Sequence, residues 1–195
     1  DDQPSLSPDG NQIAFRSDRT GNVELYVVER DTTEEIRITE ITKAPGEDWS
    51  PSWSPDGSKI VFSSNRNDNF DIFITNADGS GTEQITTSLA NEWLPTWSPN
   101  GEKIAFASNQ EGNWDIFIMN PDGSEVTQLT NHPAEDTEPV WSPDSEKIAF
   151  ASKRLRDSNS SFYIFTIEVN ESEPKNTGFA GIPYDWIQSN KVLSN

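Results

Sequence analysis

Apolar residues in this chain come in short bursts, and the bursts return at a fixed interval. Ile13-Ala-Phe15, Ile60-Val-Phe62, Ile104-Ala-Phe106 and Ile148-Ala-Phe150 form one set. Val23-Glu-Leu-Tyr-Val27, Phe70-Asp-Ile-Phe-Ile74, Trp114-Asp-Ile-Phe-Ile118 and Phe162-Tyr-Ile-Phe-Thr166 form a second. Ile36-Arg-Ile-Thr39, Gln84-Ile-Thr86 and Gln128-Leu-Thr130 form a third. The runs are short, rich in β-branched and aromatic residues, and bounded by Gly, Pro, Asn and Asp. That pattern predicts short antiparallel strands.

The punctuation repeats as well. Leu6-Ser-Pro-Asp-Gly10, Trp53-Ser-Pro-Asp-Gly57, Trp97-Ser-Pro-Asn-Gly101 and Trp141-Ser-Pro-Asp-Ser145 align at spacings of 47, 44 and 44 residues, with a degenerate fifth copy at Trp186. Pro presets φ at the second turn position, Asp tolerates the bridge region, and Gly takes the positive φ. Asn76-Ala-Asp-Gly79 and Asn120-Pro-Asp-Gly123 apply the same logic between the second and third runs. Each repeat therefore reads as an inner strand, the Pro-x-Trp stretch, followed by a three-strand meander. A sheet of about 44 residues cannot bury its faces alone, so several copies must pack face to face around an axis. The predicted fold is all-β, a β-propeller of four-stranded antiparallel blades. Its repeats fall at about 1–46, 47–90, 91–134 and 135–180, with a partial fifth at 181–195, in one domain. Trp53, Trp97 and Trp141 are expected to wedge between neighbouring blades.

The string Pro-x-Trp-Ser-Pro-Asp-Gly-x-x-Ile-Ala-Phe-x-Ser, with Gly-Asn-Trp-Asp-Ile-Phe and Asp-Gly-Ser-x-x-x-Gln-Leu-Thr after it, resembles the WD-like repeat of TolB-type β-propellers. The resemblance runs from Pro4 to about Leu193. It is specific for fold and weak for function, because the repeat also occurs in accessory propellers of prolyl-oligopeptidase and tricorn-like peptidases. It implies a ring of six blades, of which this chain would supply four and part of a fifth, and a periplasmic or extracellular bacterial setting; a compact ring of four or five blades and assembly from two chains are the alternatives. Sheet edges left open would invite pairing with another chain.

Charge narrows the partners. Against 14 Lys and Arg stand 33 Asp and Glu, a net charge of −19. A field of that sign repels phosphate backbones and anionic lipid, so nucleic acid is not an expected partner. No apolar run approaches the roughly 18 residues of a membrane helix, so membrane insertion is not expected. Cysteine is absent and His132 is the only histidine, so disulfides, thiolate chemistry and His-cluster metal sites are excluded. His132, in Thr130-Asn-His-Pro133, reads as a turn residue. No nucleophile elbow, phosphate-cradling loop or dinucleotide fingerprint occurs, and no catalytic residue is assigned.

Acids and aromatics recur where the chain enters each inner strand: Asp1-Asp2, Glu47-Asp48-Trp49, Glu92-Trp93, Glu135-Asp136 and Tyr184-Asp185-Trp186. Rotational repetition would set them around one mouth of a channel, as a negative funnel for cationic groups or a basic peptide. The plainer alternative has the carboxylates bonding loop amides and the indoles packing on the next blade. Lys153, Arg154 and Arg156 open an insertion in the fourth repeat and form the only basic cluster, a surface loop or a contact for an acidic partner. No cofactor is expected. Calcium is the one metal the composition allows, and Asn67, Asp68, Asn69 and Asp71 alternate oxygen donors without completing a known loop pattern. Asp71 and Asp115, with Glu24 in the same slot, read as structural. Asn159-Ser-Ser161 and Asn170-Glu-Ser172 match the glycosylation pattern. The leading expectation is a non-catalytic propeller that binds or scaffolds a protein or peptide. The alternatives are an accessory propeller gating a prolyl-oligopeptidase-like or tricorn-like hydrolase, and a carboxylate-based lyase or glycosidase.

Overall fold

The structure, a computed structural model, describes residues 1–30, 36–155 and 161–183. All regular structure among these residues is β, in four antiparallel four-stranded sheets. The first blade comprises β1 (Asp2–Leu6), β2 (Gln12–Ser17), β3 (Glu24–Arg30) and β4 (Ile36–Glu40). The second comprises β5 (Asp48–Trp53), β6 (Lys59–Asn67), β7 (Asn69–Asn76) and β8 (Glu83–Gln84). The third holds β9 (Glu92–Trp97), β10 (Ile104–Ser108), β11 (Asp115–Met119) and β12 (Thr127–Gln128). The fourth holds β13 (Asp136–Trp141), β14 (Lys147–Ser152), β15 (Tyr163–Glu168) and β16 (Lys175–Ala180). Every sheet keeps strict meander order, as the spacing predicts. The chain divides into two compact units, Asp1–Trp97 and Ser98–Asn195, the boundary falling directly after β9.

Local chemistry explains the strand ends. In the second blade the third apolar run is cut to two residues of ladder. The amides of Ile85 and Thr86 both turn to the Ile72 carbonyl, at 2.9 and 3.4 Å. The Thr86 hydroxyl accepts the Ile72 amide at 2.8 Å. Thr130 does the same for Ile116 at 2.9 Å, and Thr42 for Leu25 at 2.8 Å. A buried threonine thus follows the outer strand in the first three blades, satisfying an amide that the ladder no longer reaches. The inner strands carry a different irregularity. Gln3, Ser50, Leu94 and Glu138 all have φ between 50° and 58°, one residue before a proline. The proline denies the preceding residue the right-handed helical region. Register shifts between Asp2 and Ser5, Trp49 and Ser52, and Thr137 and Val140 mark the resulting bulges.

Two of the three predicted wedges, Trp53 and Trp141, are in place, one in each unit. Trp53 is buried among Ala14, Leu25, Val27 and Ile41 of the first blade and Ile60, Phe62 and Phe73 of the second. Its Nε1 donates to the Ser5 carbonyl at 3.1 Å. Trp141 packs likewise with Ala105, Ile116, Ile118 and Leu129 ahead of it and Ile148 and Phe150 behind. The Ser-Pro-Asp-Gly turns behave as read. Gly10, Gly57 and Gly101 have φ of 75°, 72° and 74°. The Asp56 carboxylate accepts from Ser54 Oγ at 2.6 Å and from the Ser58 amide at 3.0 Å. Those bonds, Ser54's foremost, pull its pKa down to about 2.

Candidate functional site

Eighteen residues after the acid that opens an inner strand, the sequence places an arginine in three repeats: Arg19 after Asp1, Arg66 after Asp48, Arg154 after Asp136. The structure shows what this spacing does. Arg66 clasps Asp48 with one nitrogen at 2.9 and 3.0 Å, and its Nε donates to Ser64 Oγ at 2.8 Å. Its guanidinium lies 4.6 Å over Phe73, itself stacked on Phe62. Arg154 repeats each contact with Asp136 at 2.6 Å, Ser152 at 2.9 Å and Phe165 at 4.6 Å. Arg19 reaches Asp1 at 3.0 Å and covers Tyr26. Asp48 and Asp136 are 1% and 0% exposed, so this capping arginine is what keeps a buried negative charge tolerable. In the third repeat the position is Gln110.

A second buried acid accompanies each first one: Glu24 beside Asp48 and Asp71 beside Glu92 in the first unit, Asp115 beside Asp136 in the second. These are the slots read as structural, and they bond neighbouring groups as expected. Glu24 accepts from Thr42 at 2.7 Å and Asn22 at 2.8 Å. Asp115 accepts from Thr130, Gln128 and the His132 amide. Desolvation raises the carboxyl pKa of Glu24, Asp71, Glu92, Asp115 and Asp136 above its ordinary value. Two residues before each second acid, an asparagine ties the loop that leads to the next inner strand. Asn22 donates to the Gly46 carbonyl, Asn69 to Ala90 at 2.6 Å and Asn113 to His132 at 2.9 Å. The Asn-x-acid spacing is visible in the sequence, but its task required the structure.

The aromatic residues of the predicted site separate from the acids. In the first unit Trp49 and Trp93 lie with ring centroids 5.7 Å apart. Phe70 meets Trp93 at 4.8 Å and Trp49 at 6.3 Å, both edge-on. All three are half-buried. Trp49 also carries the Arg16 guanidinium 3.5 Å over its ring, and Arg16 is ion-paired with Asp2. Glu47 accepts from Trp49 Nε1 at 3.2 Å. Beside Trp49 opens a pocket of about 260 Å³ lined by Asp1, Asp2, Arg16, Asp18 and Val23. The structure therefore brings Glu47, Trp49 and Trp93 together with Phe70 and Arg16, which sequence reasoning missed. It sends Asp48 and Glu92 inward. A cation–aromatic stack between a Trp and an arginine is what this surface can do chemically, and it already does so with its own Arg16.

In the second unit the corresponding residues are self-paired. Glu135 accepts from Lys153 Nζ at 2.6 Å, and Lys153 also sits 4.7 Å over Phe162. Arg154 is 12% exposed and committed to Asp136, so these two members of the basic cluster are blade elements. Arg156, Asp185, Tyr184, Trp186 and Asn159 lie outside the described residues. Glu138, which sequence reasoning passed over, has its pKa raised by burial alone. His132 accepts the Ala134 amide on Nδ1 at 3.0 Å, the contact of a turn residue. The four oxygen-bearing residues 67–71 sit at the β6–β7 hairpin. Asp68 takes φ 85° at its tip, Asn67 donates to Gln84, Asn69 to main-chain carbonyls, and Asp71 turns into the blade junction. Among the described residues no three acids or histidines group as a metal would require.

Family and structural relatives agree with this architecture. The model of the tricorn protease N-terminal beta propeller domain matches residues 69–182, and that of the TolB beta propeller domain matches residues 2–93. No curated protein matches the sequence. Among solved structures, a TolB from Agrobacterium tumefaciens superposes with a TM-score of 0.79 at 24% identity, covering 93% of this chain and 66% of its own. TolB from Acinetobacter baumannii gives 0.72 at 23% identity, covering 89% and 42%. Puromycin hydrolase gives 0.71 at 15%, covering 93% and 29%. The chain thus spans less than two thirds of the length of these structures. By matched family and by fold, it belongs to the β-propeller family of TolB and the tricorn protease N-terminal domain.

Proposed function

We propose that this chain is a non-catalytic binding or scaffolding propeller that holds a protein or peptide segment through a cationic side chain, at the aromatic surface of its first unit. The observation that carries this reading is the Trp49 ring, with the Arg16 guanidinium 3.5 Å over it and the Trp93 ring 5.7 Å away. Half-buried indoles with a carboxylate beside them suit arginine or lysine, and the net charge of −19 favours basic over acidic partners. The TolB repeats suggest a periplasmic or extracellular setting for that encounter. The test is capture of the chain on immobilised peptide arrays. Arginine-bearing peptides should retain it, neutral isosteres should not, and Trp93→Ala should abolish retention. Equal retention by neutral peptides would reject the reading.

A second reading takes its support from the tricorn-type match over residues 69–182. There the propeller is an accessory element beside a hydrolase, screening what reaches it. The mass of the native polypeptide separates the two. A native chain carrying a serine-hydrolase region favours the second reading, and a propeller that retains arginine peptides by itself favours the first.

A further inference from the structure

Three of the loops that lead into inner strands share one anchor. In each, an asparagine at or just before the blade's third strand donates to the two carbonyls that flank a single loop residue. Asn22 reaches Ala44 and Gly46 around Pro45. Asn113 reaches His132 at 2.9 Å and Ala134 at 3.4 Å around Pro133. Asn69 reaches Ser88 at 3.2 Å and Ala90 at 2.6 Å around Leu89. Proline suits that slot, because its fixed φ reduces the freedom lost when the loop is ordered. Leucine brings no such advantage, and the Leu89 side chain is 100% exposed. The local fold does not account for it.

Single exposed apolar residues are common on protein surfaces. Its support and its neighbours set Leu89 apart. Ser88 Oγ accepts the Ala90 amide at 3.2 Å and donates to Glu92 Oε1 at 2.8 Å, so the loop is fixed on both sides of the leucine. The same ties join it to the aromatic surface. Asn69 directly precedes Phe70, the Phe70 amide donates to Asn91 Oδ1 at 3.1 Å, and the Phe70 ring meets Trp93 at 4.8 Å. Leu89 stands four residues before Trp93, so their α-carbons are at most about 14 Å apart, a gap that an extended peptide crosses in about four residues. An apolar side chain wholly in water gains by being covered, and an already ordered loop loses little freedom when that happens.

We infer that Leu89 is the apolar seat of this surface, and that the segment it receives carries an aliphatic side chain within about four residues of its arginine or lysine. The inference rests on the aromatic surface of the first unit holding the cation, as proposed above. It narrows the partner from any basic segment to one that is basic and aliphatic together.

The test is calorimetry of the whole chain with three peptides of one length. The first carries arginine with leucine about four residues from it. The second has glutamine in place of that leucine, and the third keeps the leucine but has citrulline, the neutral isostere, in place of arginine. The first should bind at least about tenfold more tightly than the second, the low end of what covering one leucine side chain provides. Leu89→Pro, which installs the residue of the other two loops, should remove that difference while the urea midpoint stays level or rises. Equal affinity for the first two peptides, or a preference that survives in Leu89→Pro, would overturn the inference and leave the arginine reading intact. A citrulline peptide that binds as tightly as the first would overturn both. Should Leu89→Pro lower the urea midpoint, Leu89→Ser takes its place in the same comparison. Loss of the leucine preference supports the seat, and its persistence refutes it.

Discussion

Entry to the inner strands looks alike in sequence in the two units and differs in what it leaves open. In the second unit Glu135 and Asp136 are answered at once by Lys153 and Arg154, and the position after the acid is Thr137. In the first unit the position after the acid is Trp49 or Trp93, and the indoles form a half-buried surface with Arg16 over Trp49. One unit has closed its charges on itself, and the other displays aromatic area with carboxylates nearby. The proposed recognition therefore rests on the first unit, and the recurring acid–arginine module is scaffold in both.

The largest effect that could break this distinction comes from the scaffold. Arg66→Ala strands Asp48 without its cation at 1% exposure, and Arg154→Ala strands Asp136 at 0%. Each should cost about 3–5 kcal/mol of stability by urea denaturation. A cost confined to one unit would show that the module is not equivalent in the two.

Next comes the surface itself. Trp93→Ala should weaken binding of an arginine peptide by about 2 kcal/mol or more by calorimetry, as expected of an aromatic anchor. Thr137→Ala in the second unit should leave that affinity unchanged. Smaller still is Lys153→Ala. It removes a partly exposed pair with Glu135 and should change stability by about 0.2–1 kcal/mol without affecting binding.

Ser145→Gly should lie nearest zero. Ser145 holds φ 63° where the other repeats have glycine, and its hydroxyl accepts the Asn100 amide at 3.1 Å. Relief of about 1 kcal/mol of strain is offset by loss of a bond worth about 1 kcal/mol. Acid titration tests the turns separately. The Asp56 turn, its pKa lowered from 3.8 to about 2, contributes stability present above the ordinary carboxylate range and lost as pH falls through the folded value.

The architecture was legible because each blade repeats the same local instructions. Ser-Pro-Asp-Gly sets the turn, a Trp marks the wedge, and two apolar runs alternate with polar turns. What escaped was the chemistry between distant positions. The spacing from Asp48 to Arg66 is plain once seen, yet only folding shows that it joins an inner strand to the end of its neighbour. Likewise β16 is Lys175–Ala180, a run whose apolar content is a single Phe179 and one alanine, so periodicity alone does not announce it. The proposed binding surface was half visible. Glu47, Trp49 and Trp93 came from the recurring entry stretch, whereas Phe70 looked like the start of an ordinary strand and Arg16 like a polar residue of β2. The burial that separates Asp48 and Glu92 from Glu47 is marked in the sequence only by position, the buried acid standing directly before the tryptophan and Glu47 one place earlier.

The sharpest check on the binding account is an indole titration. With the tryptophan Nε1–H resonances assigned, an arginine-bearing peptide is added and their shifts are followed. The account predicts that Trp49 and Trp93 move together and saturate, while the buried wedges Trp53 and Trp141 stay still. Shifts confined to other tryptophans, or none at a peptide concentration where the chain is captured, would contradict it.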